Sequence, residues 1–222
     1  MISNAKIRDL NGLNSGNVLC IAEPLETRRL LAVGPQCVPA FGGHDLYVIG
    51  TDNDDTIDVR LNGNVVEGNL NGQNYVSCTN LGVIRIYGED GADAITVQPG
   101  VTHRAFIWGG DKGDNIHGGS GDDIIMGEGG NDVIGGNFGN DFLDGGADND
   151  NLNGGYQNDS LTGGSGQDYM AGEQGDDYFE YNADGEVDEI HGGSGDGDYD
   201  VMNGYDTTNP ADIFSGIESM LG

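Results

Sequence analysis

Between residues 109 and 180 a nine-residue unit repeats eight times without a gap, with glycine first, aspartate sixth and a large apolar residue eighth in every copy. The glycines are Gly109, Gly118, Gly127, Gly136, Gly145, Gly154, Gly163 and Gly172. The aspartates are Asp114, Asp123, Asp132, Asp141, Asp150, Asp159, Asp168 and Asp177, and the apolar residues are Ile116, Ile125, Ile134, Leu143, Leu152, Leu161, Met170 and Phe179. A period this short and this strict limits what the chain can fold into, because one unit cannot bury its single apolar side chain. Stacked units can, so the period predicts a solenoid.

Each position has its own physical role. Glycine reaches the backbone angles of tight turns and lets neighbouring backbones lie close. Aspartate supplies hard oxygen ligands. The eighth residue faces inward from a strand only a few residues long, since side chains alternate faces along a strand. These features together point to a parallel β-solenoid whose turns bind calcium.

Gly118-Gly-Ser-Gly-Asp-Asp-Ile-Ile-Met126 and Gly163-Gly-Ser-Gly-Gln-Asp-Tyr-Met-Ala171 resemble the glycine-rich nonapeptide of RTX proteins, the hemolysin-type calcium-binding family. The resemblance implies an all-β fold, a right-handed parallel β-roll of the serralysin type, in which two nonapeptides form one coil of eighteen residues. Turns then alternate between two edges, with Asp114, Asp132, Asp150 and Asp168 on one and Asp123, Asp141, Asp159 and Asp177 on the other. The family further implies ions between stacked turns, held by aspartates of two turns and by loop carbonyls, here those of Gly119, Gly121, Gly130, Gly139, Gly164, Gly166 and Gly175. Three gaps per edge suggest roughly six calcium ions, and rungs about 4.8 Å apart make the four coils about 19 Å long.

Charge agrees with this expectation. The chain has 222 residues, 42 glycines, 38 acids and 8 lysines and arginines, for a formal charge of −30. Without a basic stripe to neutralise phosphates, nucleic acid and anionic membrane are disfavoured as partners. The same charge opposes compaction, and about six ions would reduce it to roughly −18. Metal binding and folding are therefore expected to be one event, with the repeat tract largely disordered without calcium. Two other readings stay open: an acidic low-complexity linker, and a solenoid whose aspartates only cap turns.

Some copies depart from the pattern. Glu128, Asn137 and Glu173 replace the second glycine, and Lys112, Asp148 and Gln157 the fourth. If the fourth position needs φ > 0, Asp148 is tolerable while Lys112 and Gln157 are strained. Lys112 also brings a positive charge near the first turn.

The flanks carry weaker versions of the repeat. Gly88 to Ile95 and Gly50 to Ile57 read as worn copies, and Gly100 to Trp108 as a metal-free rung with Ala105 in place of aspartate. Val59 to Leu61, Val65 to Glu67 and Val83 to Tyr87, with Asn-Gly turns at 62–63 and 71–72, read as antiparallel strands capping the roll. After Glu180 the phase slips: Ile190 to Asp196 repeats Ile116 to Asp122, but Gly197 takes the aspartate position and Asp198 comes one residue late. One more degenerate coil is expected there, and Ala211 to Leu221 resembles the closing strand found after many RTX arrays. The expected division is thus an N-terminal targeting or flexible segment (1–40), a β-rich cap (41–108), the calcium-binding roll (109–180), and a degenerate coil with a capping strand (181–222).

Pro24-Leu-Glu-Thr-Arg-Arg-Leu-Leu-Ala32 resembles a short Leu-Glu-x-Arg-x-Leu-Leu element near the start of many large exported planctomycete proteins. No ordinary secretory leader or membrane-spanning segment is evident. Calcium favours an extracellular location, because cytosolic calcium is generally too low to load weak sites. Cys20, Cys37 and Cys78 do not indicate a disulfide framework, although two of them could pair after export. The histidines form no metal triad and read as strand-surface residues. Neither a Gly-x-Ser-x-Gly elbow nor a phosphate-binding loop is present, so no catalytic residues and no enzyme are expected.

The expected function is that of a secreted calcium-binding β-roll with a structural or adhesive surface role, its possible partners being cell-surface polysaccharide or other surface proteins. The alternatives are a small polysaccharide-active enzyme or accessory module and, third, a cytolysin fragment.

Overall fold

The computed structural model describes residues 34–40, 43–73, 76–180, 186, 188–193, 200–203, 213–217 and 219–221. The exported-protein-like element at 24–32 lies outside them, as does the second half of the expected coil at 194–199. Among the described residues all regular structure is β. In chain order the strands are β1 (Gly34–Ala40), β2 (Gly43–Ile49), β3 (Thr56–Asn62), β4 (Val65–Leu70), β5 (Val76–Cys78), β6 (Leu81–Asp90), β7 (Ala94–Val97), β8 (Ala105–Asp111), β9 (Asn115–Gly119) and β10 (Ile124–Gly129). They continue with β11 (Val133–Phe138), β12 (Phe142–Ala147), β13 (Asn151–Tyr156), β14 (Ser160–Ser165), β15 (Tyr169–Gln174), β16 (Tyr178–Glu180), β17 (Glu189–Gly193), β18 (Val201–Asn203), β19 (Ile213–Ser215) and β20 (Ser219–Leu221).

The chain winds alternately into two sheets. One runs β1-β2-β6-β8-β10-β12-β14-β16-β18-β20, the other β19-β17-β15-β13-β11-β9-β7-β3-β4-β5. Each strand from β8 to β14 pairs in parallel with the strand one coil on, eighteen residues away, as Ile125 does with Leu143 and Ile134 with Leu152. This is the parallel β-solenoid that the nine-residue period predicts.

The eighth-position side chains form the core. Ile107, Ile125, Leu143, Leu161 and Phe179 stack behind one sheet, and Ile116, Ile134, Leu152 and Met170 behind the other, all buried. Upstream, Ile86 and Val48 extend the first column, and Ile95 and Ile57 the second. Downstream, Met202 and Ile190 do the same. From β9 to β16 one core side chain per strand makes a thin core, so the order of the loops there depends heavily on what happens at the edges.

Among the described residues antiparallel pairing is confined to the N-terminal end, in β1/β2, β3/β4 and β4/β5. There the structure corrects two expectations. The Val83 to Tyr87 segment is not an antiparallel arm: β6 pairs in parallel with both β2 and β8, and its alternation reflects Ile84 and Ile86 facing the core. The first hairpin loop is Gly63-Asn64 rather than 62–63, with Asn62 paired to Val65 and Gly63 at φ 63°. The second is as expected, with Asn71 and Gly72 both at positive φ and the Gln73 N–H donating to the Leu70 carbonyl at 2.9 Å.

Cys37 on β1 is disulfide-bonded to Cys78 on β5. Since β1 and β5 are the outermost strands of the two sheets, the bond ties both sheets together at this end. Downstream, where one degenerate coil and a closing strand within Ala211 to Leu221 are expected, four strands prolong both sheets: β17 and β18, then β19 and β20 inside that closing segment.

Candidate metal centre

Stacking places the sixth-position aspartates in two ladders. On one edge the backbone N–H of Asp114 donates to Asp132 Oδ1 at 2.7 Å, Asp132 to Asp150 at 2.8 Å and Asp150 to Asp168 at 2.9 Å. On the other, Asp123 donates to Asp141 at 2.7 Å, Asp141 to Asp159 at 2.8 Å and Asp159 to Asp177 at 2.8 Å. The eight residues are thus distributed over the two edges as the eighteen-residue coil implies. All are buried.

In most of these carboxylates the ladder uses one oxygen only. The Oδ2 atoms of Asp93, Asp114, Asp123, Asp132, Asp141, Asp150 and Asp159 are buried with no hydrogen-bond partner. Each sits where the first glycine of its repeat lacks a side chain: a Cβ on Gly145 would lie 2.4 Å from Asp150 Oδ2 and 2.5 Å from the Gly163 carbonyl. Oxygens with no donor facing them are costly unless a cation satisfies them. This is the chemistry of a hard-cation site, and the residues fit calcium.

Burial is also the main cause of raised carboxyl pKa values. Asp123, Asp150 and Asp159 are each pushed up to about 8, Asp114 to about 7, and Asp93, Asp132 and Asp141 to about 6. The ladder hydrogen bond from the preceding coil works in the opposite direction, and neighbouring aspartates add repulsion. A bound divalent cation reverses that balance.

Among the described residues no three His, Cys, Asp or Glu side chains gather into a metal site of their own. A shell built here therefore draws on loop carbonyls. The second and fourth positions adopt positive φ, including Gly119, Gly164, Gly130, Gly139, Gly166 and Gly175. Gly121 does not, yet its carbonyl lies against the next coil, 1.9 Å from where a Gly139 Cβ would stand. The fourth position does need positive φ: Lys112, Asp148 and Gln157 stand at 76°, 75° and 79°, so Lys112 and Gln157 carry the expected strain, and Glu128, Asn137 and Glu173 adopt the same φ at the second position.

Several ladder residues follow the grammar of the worn repeats. The Asp93 N–H donates to Asp114 and the Asp55 N–H to Asp93, both at 2.7 Å. Asp55 closes the ladder, because its oxygens already accept from Thr51 N–H and the Asn71 amide. At the rung lacking aspartate, the Ala105 N–H still donates to Asp123 at 2.6 Å.

Other members escaped the sequence reading. Asp188 accepts from Asp168 at 3.0 Å and Asp200 from Asp177 at 2.9 Å, so Asp200 continues the second ladder. The signal available in sequence was aspartate two residues before a core residue, as in Asp188 with Ile190 and Asp200 with Met202. The fifth position also has a role. Asn149 N–H donates back to Asn131 Oδ1 at 2.9 Å and Asn140 N–H to Asp122 Oδ1 at 2.9 Å, opposite in direction to the aspartate ladders. His191 lies on the sheet surface, hydrogen-bonded to Ser215 and, at 2.7 Å, to Glu189.

A family model described as the RTX calcium-binding nonapeptide repeat (4 copies) matches residues 108–143 and again residues 144–179. No curated protein and no solved structure matches the chain. Residues 108–179 are thus RTX calcium-binding repeats folded as a β-roll.

Proposed function

We propose that this is an exported protein whose roll is ordered by calcium outside the cell, and that it acts there as a structural or adhesive module. The observation that carries this reading is the recurrence of an unpartnered, buried Asp Oδ2 on successive rungs of both ladders, at Asp93, Asp114, Asp132 and Asp150 on one and at Asp123, Asp141 and Asp159 on the other. Asp114, Asp132, Asp150 and Asp168 would hold ions on one edge and Asp123, Asp141, Asp159 and Asp177 on the other, with the carbonyls of Gly119, Gly121, Gly130, Gly139, Gly164, Gly166 and Gly175. Calcium supplies the positive charge that lets these carboxylates stay ionised while buried. The three inter-coil gaps on each edge support about six ions, and Asp93, Asp188 and Asp200 lengthen the ladders beyond the tract.

Two features support export. The Cys37–Cys78 disulfide suits an oxidising compartment. Extracellular calcium modules bind at roughly 10⁻⁴ to 10⁻³ M, where cytosolic calcium would leave them empty. The test is a calcium titration of chelator-treated protein followed by far-UV circular dichroism, with magnesium as control. A cooperative coil-to-β transition with calcium alone is expected; a β-rich, calcium-indifferent apo chain would overturn the reading.

A further inference from the structure

The third loop position carries small or polar residues in most repeats: Asp111, Ser120, Gly129, Ala147, Ser165 and Gln174. In two consecutive coils of one edge it carries Phe138 and Tyr156, whose rings lie parallel with centroids 4.7 Å apart. They are 45% and 46% exposed, so the core does not account for them. Serine, glycine and alanine elsewhere show that the turn itself needs no ring.

These rings border a surface groove of about 260 Å³ whose other walls include Asn153, Glu173 and Gln174. Gln174 follows Tyr156 in register on the next coil, and Asn153 donates to Glu173 Oε1 at 3.1 Å. The groove thus joins an aromatic surface to amide and carboxylate groups on one side. Among the described residues no lysine or arginine lines it.

We infer that the Phe138–Tyr156 groove is a binding subsite for a neutral hexose-based glycan. Aromatic rings bury the C–H faces of a pyranose, while side-chain amides and a carboxylate satisfy its hydroxyls. An anionic polysaccharide would meet Glu173 and a chain of formal charge −30 with no cation in the groove to receive it. This inference rests on the adhesive reading above, for which it names the ligand class.

The calcium-loaded full chain, with folding verified by circular dichroism, should be titrated calorimetrically with cellohexaose, laminarihexaose and mannohexaose, and with hexamannuronate as the charged control. At least one neutral hexaose should bind. Its affinity should fall about tenfold or more in Tyr156→Ser and Phe138→Ser, which install a residue that Ser120 and Ser165 already place at this position, and should persist in Tyr156→Phe. Glu173→Gln, which leaves both rings in place, should also weaken it. Calcium affinity should not change in the three ring variants. No neutral binding by the wild type, binding indifferent to the ring and Glu173 variants, or preference for hexamannuronate would each overturn the subsite. Failure of calcium-driven folding shows separately in the circular dichroism and rejects the calcium reading, not the groove.

Discussion

The backbone N–H of Asp141 donates to Asp159 Oδ1 at 2.8 Å, while Oδ2 of the same Asp159 is buried without a partner. One carboxylate is thereby divided between two tasks, holding the preceding coil with one oxygen and facing a cation with the other. The division predicts that charge and hydrogen bonding can be separated by mutation.

Asp141→Asn keeps an oxygen for the Asp123 N–H but removes a formal charge, so calcium affinity should drop with little change in the apo state. Asp141→Ala also orphans that buried N–H, which costs about 1–3 kcal/mol. Calcium calorimetry and urea denaturation of both variants check this. Unchanged stoichiometry and affinity in the alanine variant would rule out Asp141 as a ligand.

Leu152 is fully buried between Ile134 and Met170. Leu152→Asp places an unpaired charge in the thin core and should abolish the roll even at saturating calcium. Circular dichroism with wild-type β amplitude in this variant would be the contrary result.

Glycine is needed for different reasons at different loop positions. Gly145→Ala should destabilise the calcium-loaded roll, since its Cβ would collide with Asp150 Oδ2 and the Gly163 carbonyl. Gln157→Gly should stabilise it by about 1 kcal/mol, because φ at this site is 79° and left-handed backbone is unfavourable for a residue with a Cβ. Denaturation midpoints in excess calcium decide both.

Burial raises Asp123, Asp150 and Asp159 to about 8 from an ordinary value near 4. The folded, metal-free roll then holds more protons than the unfolded chain between those values. Its proton-linked stability is fully present below about pH 4 and is lost as pH rises through about 8. Chelated protein should therefore be more β-rich at mildly acid pH than at pH 8, where calcium restores the fold, and calcium affinity should weaken as pH falls. A circular dichroism pH series with and without calcium tests the sign.

Cys37 and Cys78 close a loop with a sequence separation of 41. Cys37→Ser should cost about 4 kcal/mol at the N-terminal end, and the difference from wild type should vanish in reductant. Calcium stoichiometry should not change. Thermal denaturation with and without reductant measures it.

The repeat phase determined which side chains from Ile116 to Phe179 face inward and which eight aspartates recur in the turns, and the resemblance to the RTX nonapeptide implied the eighteen-residue coil and the two edges. The inward pattern follows from local geometry, because strand alternation and turn angles depend on near neighbours in sequence. The positive φ at Lys112 and Gln157 was legible for the same reason. Asp188 and Asp200 were not, because the spacing between a first glycine and its aspartate changes after Glu180, while the stack preserves the aspartate two residues before each core side chain. Tertiary structure alone decided that Cys37 meets Cys78, that β6 runs parallel to β2, and that Phe138 stacks on Tyr156. Those relationships connect residues 18 to 41 positions apart. They exist only once coils are laid on one another, because a linear period specifies which residues share a face but not what a ring, a thiol or a strand meets across it.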